Sequence, residues 1–348
     1  MNLQVPIVVL EPGQTIRDQL SRPLRELRIS VIDRCNFRCT YCMPEDSLQG
    51  RGVFLPLDKL MTDHEIADLV RAFVGLGVQK VRITGGEPLV RPGLPALVSQ
   101  LAAIDGLRDI ALTTNGVLLP RLAADLAEAG LGRLTVSLDS LDEAVLGIMS
   151  GGKAKLAHIL AGIEAAEQAG FKRLKINTVV QRGINDHTIL DLLAYFRGSG
   201  HSVRLIEFMD VGNCNHWKLE QVVPSAEWVE RIGKVWPIEE LGDRRTSSTA
   251  RRYRYLDGQG EIGLISSISE PFCGGCTRAR LTADGMLYTC LFGSKGTNLM
   301  PLLRQSGHPQ SLQQRIRAAW ERRDDRYSEL RNEQTPHSAK VEMYRMGG

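Results

Sequence analysis

The alternation of short apolar runs with amphipathic stretches between residues 27 and 209 constrains the fold more than any other feature of the sequence. The apolar runs have the length and composition of strands, and the stretches between them show helical spacing and stop near a glycine. Successive strands joined by right-handed helical crossovers are parallel. The sequence therefore predicts an α/β fold built on a parallel sheet. Six strands are predicted: Leu27–Ile32, Val81–Thr84, Ile110–Thr114, Leu134–Leu138, Leu174–Val180 and Val203–Met209.

Five helices are predicted between these strands. The first has the clearest pattern, because Thr62 and Glu65 form a capping box ahead of apolar residues three and four positions apart. The predicted helices are Thr62–Leu76, Leu94–Ile104, Arg121–Ala129, Leu156–Ala169 and Thr188–Phe196.

Six such units predict an incomplete parallel (βα)6 barrel of TIM-like type, although a doubly wound open sheet also fits. An eight-unit closed barrel is disfavoured, because the alternation stops after Met209. The rest of the chain is rich in glycine and β-type residues, with a hairpin signal at Asp284-Gly285. We expect a barrel domain with an N-terminal extension over residues 1–222. A smaller C-terminal α+β region over residues 223–348 would close the open side.

Charge, hydropathy and cysteine content limit the function classes. The 43 Lys and Arg residues nearly balance the 40 Asp and Glu residues, so nucleic-acid binding by a general basic surface is not expected. No apolar run approaches the roughly 18 residues of a membrane helix, and no signal-peptide pattern is present. We expect a cytoplasmic protein without membrane association. Because that compartment keeps thiols reduced, the two tight cysteine groups indicate metal binding or catalysis.

The first cysteine group directly follows the first predicted strand. Cys35, Cys39 and Cys42 are separated by three and then two residues. Ligands bind at the carboxyl ends of strands in parallel α/β sheets, so this loop lies where an active site is expected. Three thiolates fit a [4Fe-4S] cluster with one iron open to a small molecule. A zinc site completed by a distant ligand is the alternative.

The segment CNFRCTYC resembles the signature of the radical S-adenosylmethionine (SAM) enzymes. The following Met43-Pro44-Glu45 is similar to one branch of them, the GTP 3′,8-cyclases of molybdenum cofactor biosynthesis. Thr84-Gly85-Gly86-Glu87-Pro88, which alone would be an ordinary turn, resembles the SAM site of the same family. The resemblance implies that SAM is contacted by Tyr41, Gly86, Ser137 and Met209.

The second cysteine group lies in the predicted C-terminal region. Cys273, Cys276 and Cys290 have C-x2-C-x13-C spacing, and a zinc ribbon without its fourth ligand is the alternative interpretation. The spacing resembles that of the second cluster of the GTP 3′,8-cyclases. The resemblance implies a second [4Fe-4S] cluster whose open iron holds the guanine base of GTP.

Basic residues predict how a triphosphate is held. Arg82 shares a face of its strand with Lys80 and Thr84, and Arg278 shares one with Arg280. A single basic residue is more often a solvated surface charge. The resemblance leaves open whether Lys80 and Arg204 contact GTP. It implies GTP contacts at Arg28, Arg82, Thr113, Lys175, Thr277, Arg278, Ala279 and Arg280.

The chain ends in Gly347-Gly348, a pattern usually typical of a frayed terminus. In the family that it resembles, such a tail enters the active site, so both glycines are predicted to take part in catalysis. Arg28 is predicted to help in quenching the late substrate radical. Cys214 is the odd thiol, and we expect it to have no role.

The resemblance implies a lyase that converts GTP to (8S)-3′,8-cyclo-7,8-dihydroguanosine 5′-triphosphate, the first step of molybdenum cofactor biosynthesis. It implies an electron donor such as flavodoxin or ferredoxin, and a downstream cyclic pyranopterin monophosphate synthase. A homodimer is left open. The alternatives are a radical enzyme that modifies peptides and a zinc-dependent binding module without catalysis.

Overall fold

The computed structural model describes residues 15–48, 54–242, 249–304, 309–331 and 340–347. No helix in these ranges is both long enough and apolar enough to cross a membrane. The strands are β1 (Glu26–Ser30), β2 (Lys80–Thr84), β3 (Asp109–Thr114), β4 (Arg133–Ser137), β5 (Lys175–Val180), β6 (Ser202–Glu207), β7 (Ile238–Glu240), β8 (Arg251–Tyr255), β9 (Glu261–Ile265), β10 (Arg278–Leu281), β11 (Met286–Tyr288) and β12 (Thr297–Asn298). The helices are α1 (Asp63–Val74), α2 (Leu94–Ala102), α3 (Leu119–Glu128), α4 (Glu143–Met149), α5 (Leu156–Gln168), α6 (Ile189–Phe196), α7 (Ser225–Gly233), α8 (Met300–Arg304), α9 (Pro309–Glu321), α10 (Tyr327–Leu330) and α11 (Met343–Met346).

The strands form one mixed sheet in the order β12-β11-β10-β1-β2-β3-β4-β5-β6-β9-β8-β7. Strands β1 to β6 are parallel and lie side by side in chain order. A doubly wound sheet would instead reverse its strand order at a switch point. In the described part of the chain the edge strands β7 and β12 do not pair, so the sheet is not closed. The prediction of an incomplete barrel is confirmed.

Local sequence signals explain why these elements form. The Oγ1 of Thr62 accepts a hydrogen bond from the amide of Glu65, and the amide of Thr62 donates to the Glu65 carboxylate, so the predicted capping box begins α1. Along β2, Val81 and Ile83 are buried in the core against the helices, as the period of two requires. Helix α4 was not predicted, because seven residues show too little periodicity.

The C-terminal region extends both edges of the barrel sheet. Strand β10 pairs in parallel with β1, and β9 pairs in parallel with β6. The predicted hairpin at Asp284-Gly285 joins the antiparallel strands β10 and β11, with Gly285 at a φ of +77°. The C-terminal strands therefore flank the open side of the barrel and bring their own side chains beside β1.

Candidate active site

A cavity of about 310 Å³ lies at the carboxyl ends of the barrel strands. This volume is within the range of small-molecule sites. Both cysteine groups open onto it, although they are more than 230 positions apart in sequence. All seven cysteines are free of disulfides. The cavity therefore brings together the two predicted metal-binding groups, which are Cys35, Cys39, Cys42, Cys273, Cys276 and Cys290.

The glycine loop after β2 packs directly on the first cysteine loop. The amide of Gly86 donates to the carbonyl of Ile32 at 2.7 Å, and that of Glu87 donates to the carbonyl of Arg34 at 2.8 Å. A Cβ atom at Gly86 would collide with the carbonyl oxygen of Arg34. Close backbone approach is therefore what requires the glycine, and it fixes Cys35 beside the glycine loop.

The thiols of the first cysteine group are buried, and little positive charge lies near them to stabilise their thiolates. Burial raises the pKa of Cys39 and Cys42 well above the usual thiol value, and the neighbouring thiols raise them further. Burial also raises the pKa of Cys35 to about 11. In the described ranges no three His, Cys, Asp or Glu side chains are arranged around a single metal ion. Three mutually close thiols that need positive charge to ionise fit an iron-sulfur cluster, in which each thiolate binds a different iron.

The second thiol group is surrounded by arginines. Burial would raise the pKa of Cys276, but the guanidinium groups of Arg278 and Arg323 outweigh it and lower the pKa to about 6. Arg278 Nη2 lies 3.4 Å from the Cys276 sulfur. Arg323 Nη1 donates to the Cys276 carbonyl at 2.8 Å, which fixes the loop. Burial, followed by Asp325, raises the pKa of Cys290 to about 11.

A row of three arginines crosses strands β10, β1 and β2 beside the cavity. Arg28 is in register with Arg280 on one side and with Arg82 on the other, and all three line the cavity. Neighbouring strands are only about 4.8 Å apart, and like charges directly opposite each other are destabilising. Burial, followed by the charges of Arg28 and Arg278, lowers the pKa of Arg280 well below its usual value.

Glu26 is the counter-ion of this row. Its carboxylate lies 3.2 Å from Arg28 Nε and 3.8 Å from Arg82 Nε. Burial would raise the pKa of Glu26, but Arg28, Arg82 and Arg278 outweigh it and lower the pKa to about 2. One carboxylate opposes several guanidiniums, so the cavity keeps an excess of positive charge that suits a polyanion.

Some of the predicted SAM and GTP contact residues line the cavity, and others do not. Lys175, Thr277 and Ala279 are not among the lining residues. Thr277 and Ala279 are buried on the other face of β10 or just before it, where the alternation of a strand places them. Of the two undecided residues, Arg204 lines the cavity and Lys80 is exposed away from it. The predicted residues that line the cavity are Arg28, Tyr41, Arg82, Gly86, Thr113, Ser137, Met209, Arg278 and Arg280.

Two buried carboxylates at the site were not predicted. Glu87 accepts hydrogen bonds from Thr114 Oγ1 at 2.6 Å and from the Asn115 amide at 2.7 Å, and burial raises its pKa to about 7. Asp139 accepts a hydrogen bond from the Tyr41 hydroxyl at 2.9 Å, and burial raises its pKa to about 6. Both lie within three residues of the carboxyl end of a parallel strand, and that position is the signal that could have identified them.

The described end of the chain reaches the arginine row. Gly347 is buried with a φ of +67°, and its carbonyl accepts a hydrogen bond from Arg280 Nη1 at 2.6 Å. A Cβ atom at this position would collide with Thr84 Oγ1, so only glycine fits. Gly348 lies outside the described residues. Gly347 therefore lies beside the arginine row but is not among the residues that line the cavity, and its part in catalysis stays a prediction.

Cys214 lies closer to the site than its sequence position indicates. Its sulfur is 3.7 Å from the carbonyl oxygen of Cys42 and 3.0 Å from Glu342 Oε2, to which the thiol donates. Burial and Glu342 raise the pKa of this thiol to about 12. The thiol is therefore protonated at neutral pH and acts as a hydrogen-bond donor.

Two family models match the chain in succession. The radical SAM superfamily matches residues 29–196, and the molybdenum cofactor synthesis C family matches residues 201–329. Among solved structures, Streptococcus suis SuiB bound to S-adenosylmethionine matches with a TM-score of 0.59 and 16% identity. The match covers 81% of this chain and 65% of SuiB, just under two thirds. At this identity the likeness concerns the fold alone, and it agrees with a radical SAM barrel.

Curated relatives match nearly the whole chain. A GTP 3′,8-cyclase of Xanthomonas campestris pv. campestris (strain 8004) is 52% identical over 96% of this chain and 97% of the relative. One of Acidothermus cellulolyticus is 49% identical over 91% of this chain and 89% of the relative. One of Staphylococcus saprophyticus subsp. saprophyticus is 43% identical over 96% of this chain and 99% of the relative. The similarity therefore extends across both family matches.

Proposed function

This chain belongs to the family of the GTP 3′,8-cyclases, and we propose that it converts GTP to (8S)-3′,8-cyclo-7,8-dihydroguanosine 5′-triphosphate. This reaction is the first step of molybdenum cofactor biosynthesis. The observation that carries the proposal is the alignment of Arg280, Arg28 and Arg82 across three adjacent strands, on the cavity that both cysteine groups line. A buried row of guanidiniums needs an anion, and a triphosphate brings about four negative charges.

Each cysteine group is proposed to hold one [4Fe-4S] cluster, with SAM bound at the first. When bound, the first cluster and SAM supply the electron and the 5′-deoxyadenosyl radical that removes hydrogen from C3′ of GTP. Two observations support this proposal: the three close thiols of the first group, and the Cys276 thiolate of the second group, which Arg278 and Arg323 stabilise. The cluster ligands would be Cys35, Cys39 and Cys42 for the first and Cys273, Cys276 and Cys290 for the second.

The chain's own side chains orient SAM beside the first cysteine group. Gly86 lines the cavity, and the absence of a Cβ atom lets its backbone pack against the carbonyl of Arg34 beside the first cysteine group. Glu87 fixes this loop by accepting hydrogen bonds from the loop after β3. Asp139 holds the Tyr41 hydroxyl, and Ser137 and Met209 line the same cavity as Tyr41. These four cavity-lining positions, Tyr41, Gly86, Ser137 and Met209, are the proposed SAM contacts.

The arginine row is proposed to hold the triphosphate, with guanine at the second cysteine group and the ribose between the two groups. Arg278 lies between Cys276 and Glu26, so it links the base site to the phosphate site. Arg28, at the centre of the row, is proposed to act when the cyclised radical is quenched. Gly347 and Gly348 are proposed to complete the site on the Arg280 side. Of the GTP contacts that the sequence predicts, those that line the cavity are proposed to bind GTP, and they are Arg28, Arg82, Thr113, Arg278 and Arg280. Lys175, Thr277 and Ala279 lie outside the lining, and no GTP contact is proposed for their side chains.

Partners beyond GTP are proposed from the family. A flavodoxin or ferredoxin would supply electrons, and a cyclic pyranopterin monophosphate synthase would consume the product. Anaerobic incubation of reconstituted protein with reductant, SAM and each of the four nucleoside triphosphates tests the substrate and the reaction together. Mass analysis is expected to find a cyclised product from GTP only. Little iron, or no cyclised nucleotide from a protein rich in iron, would contradict the proposal.

A further inference from the structure

The described end of the chain, residues 340–347, is held at two separate places. One is the hydrogen bond from Arg280 to the Gly347 carbonyl. The other is the loop that follows β6, where Asp210 and Asn213 meet Lys340 and Glu342. We call these four residues the tail clasp. None of them lines the cavity.

Asn213 binds the tail as a second backbone strand would. Its Nδ2 donates to the Lys340 carbonyl at 2.6 Å, while its Oδ1 accepts from the Lys340 amide at 3.0 Å. The same Nδ2 lies 2.9 Å from Glu342 Oε1, and the Asn213 amide donates to that oxygen at 3.1 Å. Only a side chain that both donates and accepts can make this set of contacts.

Asp210 holds Lys340, at the start of the described tail, by an ion pair. Lys340 Nζ donates to Asp210 Oδ2 at 2.8 Å, Tyr327 donates its hydroxyl proton to the same oxygen at 2.6 Å, and Arg331 Nη2 lies 2.7 Å from Oδ1. The Lys340 side chain is only 5% exposed, and its ammonium lies 4.7 Å from the Tyr327 ring centre. Pairs this sheltered from water are weakly screened by salt.

The clasp is connected to Gly347 by a short rigid element. The carbonyl of Glu342 accepts hydrogen bonds from the amides of Arg345 and Met346 at 3.0 and 3.2 Å, so α11 begins at the clasp. Tyr344 and Met346 are buried within this turn. Four helical residues span about 6 Å, so a single hydrogen-bonded and packed turn separates the clasp from Gly347.

We infer that the tail clasp sets the position of the terminal glycines relative to Arg280, and that Asp210 and Asn213 are positioning residues for the reaction. The inference rests on the proposed function, in which the tail completes the site. Asp210 directly follows Met209, a proposed SAM contact. One loop thereby supports both the SAM side of the cavity and the entry of the tail.

The test compares the wild type with Asn213→Asp, which keeps the size of the side chain but replaces its two N–H donors with a carboxylate facing Glu342. Glu220→Gln, at an exposed position nearby in the chain, is the control. Hydrogen exchange of the C-terminal peptide is measured on the metal-free chain, and turnover on the reconstituted enzyme. In the variant we expect faster hydrogen exchange in the C-terminal peptide. The kcat for cyclised product should be about ten-fold lower, because small displacements of the terminal glycines are costly. The KM for GTP should stay within about two-fold of the wild-type value. SAM cleavage should continue, so that about ten times more SAM is consumed per cyclised product.

Unchanged exchange in Asn213→Asp would overturn the inference, and so would faster exchange with normal cyclisation. If this variant also melts at a lower temperature, Lys340→Met replaces it, since it removes the ammonium that pairs with Asp210 while keeping an apolar side chain of similar length against Tyr327. For Lys340→Met, too, unchanged exchange or faster exchange with normal cyclisation would overturn the inference. If the wild type gives no cyclised nucleotide, the proposed function fails, while the exchange experiment still reports whether the clasp holds the tail.

Discussion

Arg280 donates a hydrogen bond from Nη1 to the carbonyl oxygen of Gly347 at 2.6 Å, and both residues are buried. Arg280 is at the same time aligned with Arg28 on the neighbouring strand. The end of the chain and the row of arginines therefore form one structure, although more than 300 residues separate Arg28 from Gly347. A triphosphate bound to this row would share Arg280 with the tail.

Removal of Gly347 and Gly348 should spare folding, iron content and SAM binding but lower the yield of cyclised product by about 100-fold, because the tail is proposed to complete the site and small displacements there are costly. Gly347→Ala should have a similar effect, since its φ is positive and its Cβ would collide with Thr84. Gly233→Ala is the matched control, because a Cβ there meets nothing within 4 Å. The measurements are melting temperature, iron per chain and product mass. A full product yield from the truncated chain would mean that the tail is a frayed terminus with no part in the reaction.

Replacement of Cys35, Cys39 or Cys42 by Ser should abolish SAM cleavage, because a weaker ligand set cannot hold the iron that SAM needs. Cys214→Ser should keep both its iron and its SAM cleavage, since that thiol acts as a hydrogen-bond donor to Glu342. Production of 5′-deoxyadenosine by each variant is the measurement. Normal production in any of the first three would count against the assignment of this group.

Arg278→Met should change the acidity of Cys276 in the metal-free chain. The wild-type thiol has a pKa of about 6 because Arg278 and Arg323 outweigh burial, so it is mostly thiolate at pH 7. Loss of Arg278 should raise this pKa and make the thiol mostly protonated at pH 7. The rate of alkylation by iodoacetamide against pH, followed by peptide mass, measures the midpoint. Arg317→Met on the exposed face of α9 is the control. An unshifted midpoint would show that Arg278 does not stabilise the thiolate.

Glu26→Gln should destabilise the chain without GTP and strengthen GTP binding. The folded pKa of Glu26 is about 2, below its usual 4.5, so its contribution is present above about pH 4.5 and is lost as pH falls toward 2. The shift corresponds to about 3 kcal/mol at neutral pH, which urea unfolding of the variant can measure. A triphosphate would supply the missing negative charge, so calorimetry should find tighter GTP binding. Equal or weaker binding would mean that Glu26 does not compete with phosphate for the arginine row.

Cys290→Ser should separate the two clusters in function. The second group is proposed to position GTP, so its loss should leave slow SAM cleavage, remove about half of the iron and reduce cyclisation by orders of magnitude. A zinc ribbon in this region would instead lead to misfolding, with solubility and cleavage failing together. Iron, 5′-deoxyadenosine and cyclised nucleotide are measured on one preparation. Normal cyclisation with a single cluster would contradict the two-cluster proposal.

The sequence by itself determined the elements whose signals are local. The capping box at Thr62 and Glu65, the alternation along β2 and the hairpin at Asp284-Gly285 each depend on residues within a few positions of one another. The position of the first cysteine loop also followed from the sequence, because a parallel strand presents its carboxyl end to the site. Between the barrel strands, the short helix α4 was missed, since periodicity needs more residues to be visible.

Tertiary structure alone decided which distant side chains meet. Nothing local in the sequence places β10 beside β1, yet this pairing aligns Arg280 with Arg28 and turns Thr277 and Ala279 away from the cavity. The burial of Glu87 and Asp139, and with it their raised pKa values, likewise depends on neighbours from other loops. The tail clasp joins positions more than 120 residues apart. Strand register and burial arise from packing of the whole chain, and the pattern of one segment does not contain them.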